Sequence, residues 1–516
     1  MTPDVRIERS LWAVALLAAI APLWVTTELP LVDLPQHLHL ISVLHRLDDP
    51  TTLYPELFAR RPELTPYLGY YYVVSGLNWL LPLELANKVF LSAYVAGLPL
   101  ALAFLLRSLK RPAWPAVLAV PFAYGDSFAW GFINYISALP LTLLTCGLFV
   151  RAISDAPRRK QWAVGLAASL VAVLLFHVQA FAYLGVALPF LLLTTKAPTL
   201  KDRVPALLGV VPGVLTFILW VGMRLGQPAE IAPGQPWKSW GPMLSKENLA
   251  WKTYEQNKQE LVPVLANMLP DGSDLNGVYG VALVAALGVV LRLLAKKEDK
   301  PVVEEGPVER WRIVGLAGLA VLLYFALPFD IRGYMYYLNT RYAHLAAPLV
   351  LACVPVLPKS LHRTLLALAV MAATYAGITL ARGFSRFDDD AKQLTALADY
   401  TAQKPRVMGL VFATGSRAVT HPVFLHASTV LARLRGGVTN FSFALTPHSP
   451  LMYRGSPPPT FPSEWRPDQM SWEQHGQWYD HFVVRGAHPR QIFGPRLDSE
   501  LQIAAQSGDF WLVRKR

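Results

Sequence analysis

Eleven apolar stretches, near 11–29, 87–106, 112–128, 133–150, 161–177, 179–195, 204–225, 276–293, 313–329, 342–357 and 364–381, succeed one another through the first three quarters of the chain. Each is roughly 16 to 22 residues long, the length that crosses a bilayer's hydrocarbon as a helix. In hydrocarbon the backbone must satisfy its own hydrogen bonds, so such runs fold as helices or not at all. Composition agrees: 53% of the 516 residues are hydrophobic, 16% are charged, and mean hydropathy is +0.33, too apolar for an ordinary soluble chain. The expected fold class is mainly α, a polytopic membrane helical bundle of eleven spans. The run from Leu11 to about Leu31 has no small-residue cleavage site and reads as an uncleaved first helix.

The net charge of +12 does not point to nucleic acid, because the basic residues fall between apolar runs and form no contiguous patch. They mark sidedness instead. Positive charge collects at alternate connections: "RSLKR" from Arg107, "RAISDAPRRK" from Arg151, "KAPTLKDR" from Lys196, the stretch from Arg292 to Arg312, and "PKSLHR" ending at Arg363. The positive-inside bias places these and the N-terminus in the cytoplasm of a multi-pass inner (plasma) membrane protein. The run from Trp162 to Thr195 is too long for one span, and splitting it at "FHVQAF" keeps the alternation intact. The segment from Gly226 to Asn276, assigned outside, runs against the bias with Lys238, Lys246, Lys252 and Lys258. The other connections then face outward, which sets Asp33, His37, Asp126, His177, Asp330, Arg332 and Arg341 at one depth on one face. Cys146 and Cys353 lie inside apolar runs and build no disulfide framework.

The chain divides into a transmembrane domain over 1–385 and a small extracytoplasmic α/β domain over 386–516. "AKQLTALADYTAQ" has helical spacing, while "PRVMGLVFA", "YDHFVVRG" and "DFWLVRK" are short apolar runs bounded by turn residues, as strands are. From His421 to Trp478 a stretch rich in Pro, Trp, His and Tyr has little periodicity and reads as an ordered loop region or a lid.

Several residues carry candidate chemistry. Asp33 follows the first apolar run directly, and an acid at the lip of a membrane is costly unless it is paired or functional. It can serve as a general base, or it can cap the helix that "LPQHLHLISVLHRL" begins. His37 is four residues on and can share its helical face, whereas His39 cannot. A divalent metal would need a third ligand, from His177 or Asp126. Asp126 sits in the glycine-rich "YGDSFAWGFIN", either as a catalytic carboxylate or in an interfacial turn anchored by Trp130 and Tyr135. His177 tips the split hairpin. Arg332 and Arg341, with Tyr342 beside the latter, offer guanidinium forks suited to phosphate, against the alternative of snorkelling. Trp465, Trp472 and Trp478 can stack on sugar rings or fill the tail's own core.

An acid just past the first span in "LVDLPQHLHL", then "GDSFAWGFIN", the split hairpin with His177, and "NTRYAHL" before a late span, with a soluble tail outside, resemble the GT-C superfamily of integral membrane glycosyltransferases. The resemblance implies a polyprenyl-phosphate-linked sugar donor, a glycan, lipid or protein acceptor, Asp33 as the base with His37 or Asp126 in support, and Arg341, Arg332, His177 and Tyr342 around the phosphate. The resemblance fixes no cofactor, a divalent metal being the one candidate. Many members carry two adjacent acids in the first loop, whereas here Leu34 follows Asp33 and the pair Asp48–Asp49 lies further along. A lipid or polymer transporter, or an enzyme like the O-antigen ligases, is the competing reading. Most spans, however, are Leu, Ala and Val through their middles, where a transporter needs polar groups.

Overall fold

A computed structural model describes residues 3–225, 230–232, 235–236, 245–295, 308–309, 311–332, 334–446 and 448–516. The chain is mainly helical, and each of the eleven apolar runs contains a helix. Among the described residues seven helices are long and apolar enough to cross a membrane: Arg6–Trp24, Leu83–Ser108, Ile133–Ser154, Ala156–Phe176, Leu200–Met223, Leu275–Leu294 and Ser360–Tyr400. The other four, Trp114–Tyr124, Val178–Thr194, Trp311–Ala326 and Thr340–Leu351, are shorter. Trp114–Tyr124 is a 3-10 helix, buried at every position and carrying Pro115 and Pro121. Its backbone is sheltered by protein rather than lipid, which is where irregular backbone is tolerated at membrane depth.

The two ends of the bundle differ chemically. At one end the basic connections meet each other. Arg151 donates to Ser108 Oγ and to the Arg107 carbonyl, and Arg111 donates to the Val354 carbonyl. Arg159 pairs with Asp202, Arg312 reaches the Leu109 carbonyl, and Lys196 lies 3.9 Å from Glu309. At the other end the first loop, the turn after Gly125, the hairpin tip at His177 and the segment before Thr340 converge. The described part of the 226–276 connection belongs to this second end: Leu249–Ala250 pairs antiparallel with Asp330–Ile331, and Tyr324 bonds the Asn257 carbonyl. Lys238, which counted against that placement, lies outside the described residues.

The C-terminal region builds a five-stranded sheet in the order 501–507, 510–515, 481–485, 406–411, 438–439. Strand 406–411 runs parallel to 481–485 and to 438–439, while 510–515 is antiparallel to both its neighbours. Side chains alternate across it with period two. Val407, Val411, Val483 and Leu512 pack one face with Phe387 and Phe424, and Met408, Leu410, Phe482 and Val484 pack the other with Phe461 and Trp472. "AKQLTALADYTAQ" is not a separate helix. The last apolar helix continues unbroken from Lys359 to Ala396, through the 385/386 boundary, because Phe387, Ala391 and Leu394 keep its buried stripe going onto the sheet.

The first loop is locked to this region. Phe58–Arg60 pairs with Leu451–Tyr453. Buried Arg433 joins Glu28 at 2.7 Å and also Glu84, and Asp388 accepts from Thr26 and Thr27. Such buried pairs hold geometry because removing one partner strands the other's charge.

Candidate active site

Helix Leu34–His45 starts with Pro35 in its first turn, and Asp33 stands at its N-cap without making a side-chain cap bond. Its backbone N–H donates to the Trp130 carbonyl (3.1 Å), and that of Val32 to Ala129 (2.9 Å). The first loop is thus laid against the turn after Gly125. Gly131 permits this contact: its φ is +81°, and a Cβ there would sit 3.0 Å from Asp33 N and 3.1 Å from Asp33 Cβ.

With its carboxylate freed from capping, Asp33 faces His426 from the C-terminal region, Oδ1 to Nε2 at 3.3 Å. The other ring nitrogen of His426 meets Glu464 Oε1 at 2.8 Å. Gln36 Nε2 is 3.4 Å from the same nitrogen, but it makes its shorter bonds to Thr429 Oγ1 and the Phe441 carbonyl. Burial disfavours a charge on His426, yet the Glu464 and Asp33 carboxylates outweigh it and hold the imidazole up at about 10. Both ring nitrogens therefore carry protons at neutral pH. His37 is the opposite case. Nε2 donates to the Gly131 carbonyl and Nδ1 accepts from Tyr71, and burial pushes the ring down to about 4, so it is a neutral strut. The imidazole hydrogen-bonded to Asp33 is that of His426, while His37, which helical spacing suggested, bonds Tyr71 and Gly131 beside it in the same cavity.

One cavity of about 570 Å³ gathers these groups: Asp33, His37, His426, Glu464, Trp465, Tyr67, Trp130, His177 and Arg341 all line it. On its second wall the His177 ring lies between two donors, Gln179 N–H at 3.2 Å from Nδ1 and Arg341 Nη1 at 3.0 Å from Nε2. A neutral imidazole accepts at one nitrogen only, so one of the two donors is left short of an acceptor. Arg341 Nε is buried without a partner, and the guanidinium lies over the Phe132 ring at 4.5 Å. An anionic oxygen beside Arg341 would accept from the guanidinium and relieve that shortage.

The remaining sequence candidates fall outside the lining. Asp126 bonds His421 at 2.8 Å and so ties the turn to the C-terminal region; the carboxylate that joins Asp33 in the cavity is Glu464. Tyr342 is buried with its hydroxyl on the Gln179 carbonyl, and Arg332 is exposed. Trp465 reaches the cavity, while Trp472 packs on Phe482 and Phe493 within the tail. Among the described residues no group of three or more His, Cys, Asp or Glu side chains could hold a metal ion, so the metal candidate finds no ligand set there. His426 and Glu464 carried no motif in the sequence; their only mark was membership of the aperiodic stretch 421–478.

No protein-family model and no curated protein matches the chain. Among solved structures it resembles ArnT from Cupriavidus metallidurans bound to undecaprenyl phosphate, with TM-score 0.55 at 10% identity over 98% of this chain and 97% of that one. It also resembles the arabinofuranosyltransferase AftD from Mycobacteria, with TM-score 0.52 at 12% identity over 99% of this chain and 40% of that one. Identities this low speak to architecture alone. The chain thus shares its overall fold with these two solved structures.

Proposed function

We propose that the protein is an inverting glycosyltransferase that moves a sugar from a polyprenyl-phosphate-linked donor to an acceptor hydroxyl at the extracytoplasmic membrane face. The observation that carries this reading is the division of labour in one cavity: an acid pair on one wall, Asp33 and Glu464 about the His426 imidazolium, and on the other Arg341 beside His177, with more donors than acceptors and Arg341 Nε unpartnered. That second wall suits a phosphate oxygen.

In this reading the donor's phosphate lies against Arg341 and His177, its lipid among the spans. Asp33 takes the proton of the acceptor hydroxyl. The acceptor oxygen bonds the anomeric carbon as the bond from that carbon to the phosphate oxygen breaks, and the electron pair leaves on the phosphate. Attack opposite the leaving group inverts the centre, as in other single displacements at a sugar. A base of this kind contributes about 10²–10⁴-fold, and each fixed donor to developing charge about 10²–10³-fold in a water-poor site. Outward orientation is supported by the basic connections that meet at the far end of the bundle. The likeness to ArnT, whose structure holds undecaprenyl phosphate, supports the donor class.

The test is release of polyprenyl phosphate from a radiolabelled lipid-linked sugar by purified protein in liposomes. Wild type is expected to release it, with Asp33→Asn at least about 100-fold slower. Movement of the labelled lipid between leaflets without release would replace the enzyme by a transporter.

A further inference from the structure

We propose that His426 is a positioning residue, held between Glu464 and Asp33 so that it donates to one carboxylate oxygen of Asp33 and aims the other at the substrate. The inference rests on the reading of Asp33 as base. His426 comes from 393 residues further along the chain, is buried, and carries the Phe443 ring edge-on at 5.8 Å. Held by carboxylates at both nitrogens, it has no free lone pair and cannot accept a substrate proton itself. What it can do is donate to Asp33 Oδ1, leaving Oδ2 as the base. Asp33 needs such a partner because its side chain does not cap its helix and so gains nothing from those backbone N–H groups.

The other titratable or charged groups that act on Asp33 or His426 are His37, Tyr71, Tyr337 and Arg341. His37 is neutral, the tyrosines carry no charge at working pH, and Arg341 serves the other wall. His426 is therefore the cation dedicated to Asp33. The arrangement also makes the base conditional on docking of the C-terminal region, which supplies both His426 and Glu464.

The experiment is the pH profile of turnover in liposomes for two variants, read beside Asp33→Asn. For His426→Asn kcat should fall about 10-fold or more with donor KM unchanged, and the alkaline limb of the profile should disappear. For Glu464→Gln, which leaves the imidazole paired on one side only, the alkaline limb should move to lower pH. Should His426→Asn fail to fold, the alkaline limb of Glu464→Gln decides alone. If Asp33→Asn is inactive while a folded His426→Asn keeps the wild-type kcat, or Glu464→Gln keeps the wild-type alkaline limb, the positioning role is overturned and the base survives. If Asp33→Asn is fully active, the base assignment is what fails.

Discussion

At the scale of single residues, the two walls of the cavity differ in how their charges are matched. Asp33 and Glu464 find His426 between them, whereas among the described residues no carboxylate forms an ion pair with Arg341, which instead competes with the Gln179 N–H for the one acceptor of the His177 ring. An under-matched guanidinium beside a neutral imidazole is an uncomfortable arrangement in the free protein and a good one once an anion arrives. Arg341→Gln is therefore expected to lower turnover by about 10²–10³-fold and to abolish retention of free polyprenyl phosphate in a lipid-binding assay. Arg341→Lys should recover part of both, since it restores the charge without the fork. Normal phosphate retention in Arg341→Gln would remove the residue from the phosphate wall. Legibility at this scale was uneven. Asp33, His177 and Arg341 stood out because each is an ionisable group abutting an apolar run. His426 and Glu464 abut none, and no spacing links them to Asp33.

At the scale of elements, the site depends on irregular segments held by regular ones. The first loop meets the turn 125–131 through two backbone hydrogen bonds, and the contact is close enough that only a residue without a side chain fits at 131. Gly131→Ala would combine left-handed backbone strain of about 1–2 kcal/mol with overlap against Asp33. The expected outcome is a lower melting temperature in detergent and a turnover loss close to that of Asp33→Asn, with polyprenyl phosphate still retained. Turnover at the wild-type rate would show that Asp33 tolerates displacement. The short helices near the cavity follow a related logic. Thr340–Leu351 has only 12 residues, about 18 Å of helix, so Arg341 at its start belongs to the site rather than to a full crossing. Apolar periodicity located this element but not its length, because the run continues past the helix as a turn at 352–353 and irregular chain through 358.

At the scale of the whole molecule, the C-terminal region is part of the machinery, since it supplies a cavity wall and is fastened to the first loop by Arg433, Asp388 and the 58–60/451–453 strand pair. Two imidazoles at this junction give stability a defined pH dependence. His426 is held up at about 10 against an ordinary 6.5, so its contribution is full below 6.5 and is lost as pH rises towards 10. His37 is held down at about 4, so its contribution is present above 6.5 and is lost as pH falls towards 4. Thermal unfolding of the detergent-solubilised protein should thus peak near pH 6.5, and His426→Asn should flatten the alkaline side; an unchanged alkaline slope would contradict the buried imidazolium. The sequence by itself determined that this chain is built to cross a membrane, where its helices run, and that its basic connections and its cavity-lining ionisable groups separate to opposite ends, because hydrocarbon imposes length and apolarity on contiguous segments and charge bias is read locally. Only the tertiary structure decided which of those groups share a cavity. Asp33 meets His426 through a sheet and a loop that no local pattern encodes, and Asp126, equally prominent in the sequence, is turned away to His421 by the same packing.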